Sequence, residues 1–174
     1  MTKKVVPTII ISAIICLFLN GIVFSGLTIF GTRPDMLTAL TVSLGILIGA
    51  TRTEIICGAI GLLLDINAGR FIGLNCAVYV IIGCVAGQFF RKFYTDNVVF
   101  PAIVAMIMEL IRENILAIFA AIGGARFNYA VMFFAYMIPC AVFTGVMCIP
   151  MYLIHRPLLD QYGKYIYDKQ SSLY

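Results

Sequence analysis

Charge is scarce in this sequence: only 11% of its 174 residues are Asp, Glu, Lys or Arg, whereas 62% are hydrophobic. A soluble domain of this size needs more polar side chains to cover its surface. The scarcity therefore excludes an ordinary soluble domain and predicts an integral membrane protein in contact with the lipid bilayer. The net charge of +4 resides on basic residues scattered singly or in pairs. That pattern is typical of cytoplasmic membrane anchors, and it predicts no nucleic-acid partner.

Sequence patterns of catalysis and of metal binding are also missing. The chain has no HExxH, no GxSxG and no glycine-rich phosphate loop, and its serines, cysteines and histidine do not cluster. We therefore predict no enzyme activity, no catalytic residue and no cofactor. His155 is the single histidine, and none of the six cysteines forms a CxxC pair, so neither a zinc site nor a disulfide framework is indicated. The cysteines fall within apolar runs, where small buried thiols at helix contacts are expected.

Six apolar runs are present, and each predicts a helix because a segment in lipid must satisfy its own backbone hydrogen bonds. The predicted segments are 5–30, 36–50, 54–66, 71–90, 98–122 and 129–154, within a single domain of residues 1–174. A full crossing takes about 20 residues, so the second and third segments are short. They could tilt little, thin the bilayer locally, or form a re-entrant hairpin. Only the fusion of these two segments into one span would reverse the orientation of the later helices in the membrane.

The distribution of basic residues predicts the orientation, because cytoplasmic loops carry an excess of Lys and Arg. With the N-terminus inside, the cytoplasmic side carries Lys3, Lys4, Arg52, Arg91, Lys92, Arg156, Lys164 and Lys169. The outer side carries Arg33, Arg70 and Arg126. We therefore expect both termini in the cytoplasm. The tail, 155–174, has apolar residues at helical spacing and is either a short amphipathic helix at the inner interface or a frayed terminus.

Two polar hinges interrupt the apolar runs. In GLLLDINAGRFIGLN, Asp65 stands just before a turn that contains Gly69, Arg70 and Gly73. We expect its carboxylate to accept hydrogen bonds from free N–H groups at the start of the next helix and to pair with Arg70. The second hinge is Arg33-Pro34-Asp35, where a proline and an aspartate favour the first turn of a helix. Both hinges are interpreted as structural turns, and an outer-face contact at the second remains open.

Small residues recur four apart, as Gly45/Gly49 and Gly83/Gly87. On a membrane helix, this spacing places bare backbone on one face and allows another helix to approach closely. The pairs predict helix packing within the chain. The alternative is a docking face for another membrane protein.

The fifth segment contains the feature with the highest energetic cost of burial in a membrane, because Glu109, Arg112 and Glu113 stand in the middle of an apolar run. Glu109 shares a helical face with both of the other residues. Ionisable groups at this depth normally face a protein interior or a wet cavity. Two interpretations stay open: a salt bridge that holds the bundle together, and a buried polar contact with a partner helix.

The order of several short motifs resembles one known family. RPDMLTALTVSLGILIGA is followed by GAIGLLLDINAGRFIGLN and then by AVYVIIGCVAGQF. The most specific part is an aspartate followed by two spaced glycines and a leucine: Asp65, Gly69, Gly73 and Leu74. Over residues 33–154, the chain resembles the rod shape-determining membrane protein MreD family.

The resemblance implies a multi-pass protein of the bacterial inner membrane that supports cell elongation and peptidoglycan synthesis as a scaffold, without catalysis of its own. Members of the family bind MreC, and with it help couple the actin-like MreB to the RodA glycosyltransferase and its penicillin-binding transpeptidase. The implied fold has six transmembrane helices and is similar to that of the substrate-binding components of energy-coupling-factor transporters.

The alternative function is vitamin capture by such a substrate-binding component. Those components typically carry alanines four apart in the first helix and aromatic residues, often tryptophan, around the ligand. Here the first segment has only Ala13, and the chain has no tryptophan. Both absences weigh against vitamin capture.

Overall fold

Six helices make up almost all of the described chain. The computed structural model describes the backbone of residues 2–23, 32–68, 73–90 and 98–171, and their side chains except at 2–6, 22–23, 67–68 and 160–171. Helix α1 is Thr2–Phe18, extended by a π-helical turn at Leu19–Val23; α2 is Met36–Ile48, α3 is Ala50–Ala68, α4 is Leu74–Gln88 and α5 is Val99–Ile122. Helix α6 begins with Tyr129–Met132, passes through a π-helical turn at Phe133–Met137 and continues as Ile138–Ser171.

The helices follow the predicted segments closely, with two differences. Helix α3 starts at Ala50 rather than at Glu54 and reaches 19 residues, so it is longer than its apolar run. Helix α6 does not end at Ile154 but continues through the tail to Ser171, past Pro150 and Pro157. The tail is therefore an extension of the last helix. Residues 24–30 of the first predicted segment lie outside the described residues.

Helices α2 and α3 are two separate helices that run in opposite directions. Gly49 alone separates them, and its φ of 87° lies in the left-handed region that glycine adopts readily. Gly49 was predicted to share a packing face with Gly45, but it lies at this reversal, outside both helices. The sharp reversal excludes the fused single span that would have inverted the topology of the rest of the chain.

Helices α3 and α4 form an antiparallel hairpin with close backbone contact. The space for a Cβ at Gly87 is occupied by Ala50, at the start of α3. At the other end of the hairpin, a Cβ on Gly61 would lie 2.8 Å from the carbonyl oxygen of Asn75. The small residues in both helices therefore pack within the chain.

Contacts between the remaining helices complete an up-and-down bundle. Helix α6 runs antiparallel to α5, because Cys140 contacts Glu109 and Cys148 contacts Pro101. It also runs antiparallel to α1, because Ser12 lies 2.7 Å from the His155 ring while Asn20, further along α1, shares Asp35 with Thr144, which is earlier in α6. The first residue of α1 and the last residue of α6 consequently point to the same end of the bundle.

Helix α2 is the centre of the bundle, since every residue from Leu37 to Ile48 is buried. The exterior is apolar, as the isoleucine stripe of α5 illustrates: Ile103, Ile107, Ile111, Ile118 and Ile122 are exposed. By length and composition, one helix of the described chain could cross a bilayer, namely Tyr129–Leu159. Three further helices are apolar but shorter: Pro7–Gly21, Met36–Ile48 and Leu74–Gln88.

Candidate functional site

The Asp35 carboxylate begins the most polar part of the bundle interior. Asp35 is the N-cap of α2, and its Oδ1 accepts a hydrogen bond from the Leu37 N–H at 2.9 Å. Its own N–H donates to the Thr144 hydroxyl of α6 at 2.9 Å. Pro34 before it is buried, whereas Arg33 is exposed. The predicted helix start therefore also ties α2 to α6.

Three further side chains donate to Asp35 from around the bundle. The Asn20 amide donates to Oδ1 at 2.6 Å from the end of α1, and its oxygen accepts from the Met36 N–H. The Thr38 hydroxyl donates to Oδ2 at 3.0 Å, and the Tyr79 hydroxyl of α4 donates to the same oxygen at 2.6 Å. Because Asp35 is only 5% exposed, these donors replace the water that an ionised carboxylate would otherwise need.

The Arg112 guanidinium of α5 lies between three carboxylates. Its Nη1 donates to Glu109 Oε1 at 3.1 Å and to Glu113 Oε1 at 2.8 Å. Its Nε lies 3.1 Å from Asp35 Oδ2, within ion-pair distance, but without the alignment of a hydrogen bond. The guanidinium carbon also lies 5.7 Å from the centre of the Tyr79 ring. We refer to Asp35, Tyr79, Glu109, Arg112 and Glu113 as the buried charge cluster.

The buried charge cluster contains more acid than base. When all groups are ionised, Asp35, Glu109 and Glu113 contribute three negative charges against the single positive charge of Arg112, so the formal net charge is −2. Glu109 is fully buried, and its Oε2 has no hydrogen-bond partner among the described residues. Cys140 of α6 adds a thiol beside it, whose S–H donates to the Arg33 carbonyl at 2.9 Å and whose sulfur lies 3.6 Å from Glu109 Oε1. Glu109, Glu113 and Cys140 could each offer one metal ligand, and these atoms lie within 4.8 Å of one another.

Asp65 organises the turn between α3 and α4. Its carboxylate is 1% exposed and accepts from the N–H groups of Gly73, Asn75 and Cys76 at 3.0–3.1 Å. The Asn75 amide adds a fourth hydrogen bond at 2.9 Å. These N–H groups belong to the first turn of α4, where no helical partner is available. The expected pairing with Arg70, and the role given to Gly69, lie outside the described residues.

Glycines 45 and 83 also lie where α4 packs against its neighbours. A Cβ on Gly45 would come within 2.7 Å of the Ala86 Cβ, and a Cβ on Gly83 would lie 3.3 Å from the Glu54 nitrogen. Gly73 differs from these, because nothing lies within 4 Å of its Cβ position and its φ is 97°. Gly73 is therefore required for its backbone conformation rather than for close packing.

Sequence reasoning treated Asp35 and the α5 charges as unrelated features, but the structure joins them. It also overlooked Tyr79, a tyrosine within an apolar run whose hydroxyl and ring both contact the cluster. One signal was available: a segment with two glutamates and one arginine needs further donors when it is buried. Spacing along one helix could not identify donors that belong to other helices.

Comparison with the sequence models of known families gives a match. The sequence model of the family described as rod shape-determining protein MreD matches residues 1–161 of the chain. No curated protein and no solved structure matches the chain. The predicted likeness to the substrate-binding components of energy-coupling-factor transporters therefore stays a prediction. Because the family match covers nearly the whole chain, this protein belongs to the MreD family of rod shape-determining membrane proteins.

Proposed function

We propose that this protein is a non-catalytic scaffold of the bacterial cell-elongation machinery, which binds MreC and helps direct peptidoglycan synthesis. The observation that carries the proposal is the family match over residues 1–161, since that family acts in rod shape determination. Through MreC, the scaffold joins a larger complex with MreB, the RodA glycosyltransferase and a penicillin-binding transpeptidase.

In this proposal all six helices lie in the inner membrane, with both termini in the cytoplasm. Two described features support the orientation. The alternating helix directions bring the start of α1 and the end of α6 to one end of the bundle, together with Arg52 and Arg156. Arg33 and Arg126 lie at the opposite end. These arginines are divided evenly, and the excess of basic residues expected in the cytoplasm comes from the lysines of the two terminal helices, Lys3, Lys4, Lys164 and Lys169.

The lengths of α5 and α2 fit such an arrangement. Helix α5 has 24 residues and measures about 36 Å, enough for a bilayer core of about 30 Å. Helix α2 has 13 residues and measures about 20 Å, but it is enclosed by the other helices. A helix that does not face lipid has no need to match the bilayer thickness.

The proposed role of the buried charge cluster is to fix the shape of the scaffold. It connects α1, α2, α4 and α5 through ion pairs and hydrogen bonds to buried acids. Because such groups have few alternative partners in an apolar interior, they favour one arrangement of the helices. A bundle of fixed shape would present a constant apolar surface to the membrane helix of MreC.

Capture of MreC from native membranes tests this proposal. A tagged form of the full chain should retain MreC after mild detergent extraction, whereas an unrelated multi-pass inner-membrane protein with the same tag should not. Depletion of the chain should convert rods into rounded cells. A folded, monodisperse protein that captures no MreC would count against the proposal, and thermal stabilisation by a vitamin would favour the vitamin-capture alternative.

A further inference from the structure

We propose that Glu109, Glu113 and Cys140 form a binding site for one divalent transition-metal ion of the zinc class. The three residues converge from α5 and α6, and all three are buried. The inference is independent of the proposed scaffold function, because it concerns the chemistry of the bundle interior alone.

The first argument is the unused carboxylate oxygen. Glu109 is 0% exposed, and its Oε2 has no aligned hydrogen-bond donor among the described residues; the Thr38 hydroxyl lies near the same carboxylate but donates to Asp35. A buried acceptor without a partner is costly, and native structures usually explain it by a water or an ion. Arg112 donates to the Oε1 atom of each glutamate, so the second oxygen of Glu109 remains available as a ligand.

The second argument is the excess of negative charge. Among the described residues, Asp35, Glu109 and Glu113 face a single guanidinium. Tyr79, Thr38 and Cys140 also contact these acids, and none of them carries a positive charge. When a divalent cation binds, the Cys140 thiol loses its proton to solvent and coordinates as a thiolate. The formal charge of the site then changes from −2 to −1, so the metal reduces the imbalance.

The third argument is geometric and chemical. A tetrahedral zinc ion with Zn–S of about 2.3 Å and Zn–O of about 2.1 Å would separate sulfur from oxygen by about 3.6 Å. Cys140 Sγ lies 3.6 Å from Glu109 Oε1, the oxygen that also accepts from Arg112, so coordination through the free Oε2 requires the Glu109 carboxylate to rotate about its last bond. A thiolate beside two carboxylates favours zinc or cobalt over magnesium, calcium or sodium, which prefer oxygen ligands alone.

Access to the site is provided by the residues at its edge. The side chains of Arg112 and Glu113 are 14% and 9% exposed, so the edge of the cluster is not completely enclosed by the described residues. Three protein ligands would leave a fourth position on the ion for water or for a group of a partner.

Cobalt substitution of the purified full-length protein tests the site. Co²⁺ added to the detergent-solubilised chain should produce a thiolate-to-metal absorption band, and dialysis against Zn²⁺ should leave roughly one zinc per chain. The band should disappear in Cys140→Ala and persist in Cys148→Ala, a matched buried cysteine of the same helix whose sulfur contacts Ser43 and Pro101. Loss of an outer-shell partner typically weakens metal affinity by about 10- to 100-fold. Glu113→Gln removes a direct ligand, so it should weaken zinc binding by more than that.

The wild-type protein decides the outcome even where a variant fails to fold. The absence of both the Co²⁺–thiolate band and retained zinc in folded wild type would overturn the proposal. A band that survives in folded Cys140→Ala would also overturn it, because another cysteine would then be the ligand. If Cys140→Ala does not fold, Cys140→Ser keeps the size of the side chain and should abolish the same band.

Discussion

Arg112 and Asp35 meet inside the bundle, with 3.1 Å between Nε and Oδ2, although one belongs to α5 and the other begins α2. Helix α2 is enclosed on all sides, so the N-cap aspartate cannot reach water and depends on protein donors. Arg112 supplies the positive charge to a site with three acids. This relationship makes Arg112 the residue whose loss has the widest consequences.

Replacement of Arg112 by leucine should destabilise the protein strongly, because three buried acids then lose their single cation. Breaking a buried ion pair by removal of one partner typically costs about 3–5 kcal/mol. Glu109→Gln should be milder, since a neutral amide still accepts from Arg112 and removes one negative charge. Thermal unfolding in detergent, read by size-exclusion chromatography, compares the two variants, with Arg126→Leu as an exposed control.

The same variants distinguish a structural cluster from a docking element. If Arg112→Leu folds normally but captures no MreC, the cluster contributes to docking. If folding and capture are both lost, its role is structural. Equal folding and capture in Arg112→Leu and wild type would contradict both roles.

Asp65→Leu should lower the yield of folded protein, because it removes the acceptor of four hydrogen bonds at the start of α4. Each buried donor left unpaired costs about 1–3 kcal/mol. Asp65→Asn should have an intermediate effect. Its oxygen can serve the Asn75 donors, but its NH₂ group would then face the N–H groups of Gly73 and Cys76, which bond to the second oxygen. A melting temperature equal to that of wild type in Asp65→Leu would exclude the proposed role of this turn.

Gly87→Ala and Gly73→Ala should both destabilise, but for different reasons. The added Cβ at Gly87 overlaps the backbone of Ala50, so α3 and α4 must separate and the effect should be the larger one. At Gly73 the space is open, and the cost is the left-handed backbone, about 1–2 kcal/mol. Gly73→Leu is therefore expected to fail through backbone strain rather than through crowding. Gly21→Ala, where nothing lies within 4 Å, serves as the control for unfolding measurements.

The proposed orientation predicts which single cysteines an impermeant reagent can label. Cysteines at positions 4 and 169 should be protected in intact cells, and a cysteine at position 126 should react from the outside. The six native cysteines provide the background, and they are buried or partly buried. Labelling of position 169 from outside would require the opposite orientation for the last helix.

Much of the helical architecture could be predicted from the sequence alone. The apolar run 98–122 matches α5, Val99–Ile122, to within one residue, because a segment in lipid satisfies its backbone only as a helix. The hydrogen bonding around Asp65 was also expected from local rules, since the donors follow only 8 to 11 residues later, at the start of the next helix. Contacts of this kind depend on residues that are close in sequence.

The composition of the buried charge cluster was decided by tertiary structure. The local sequence around Glu109, Arg112 and Glu113 shows an imbalance of charge, but it does not show that Asp35 and Tyr79 would arrive from α2 and α4. Gly49 illustrates the same limit, because its spacing from Gly45 predicts a helical face, whereas the folded chain has it in a reversal beside the Phe90 ring. Hydrophobic periodicity determines which segments become helices. The partners of a buried charge depend on how those helices pack, since only the packed bundle excludes water and leaves protein groups as the available donors.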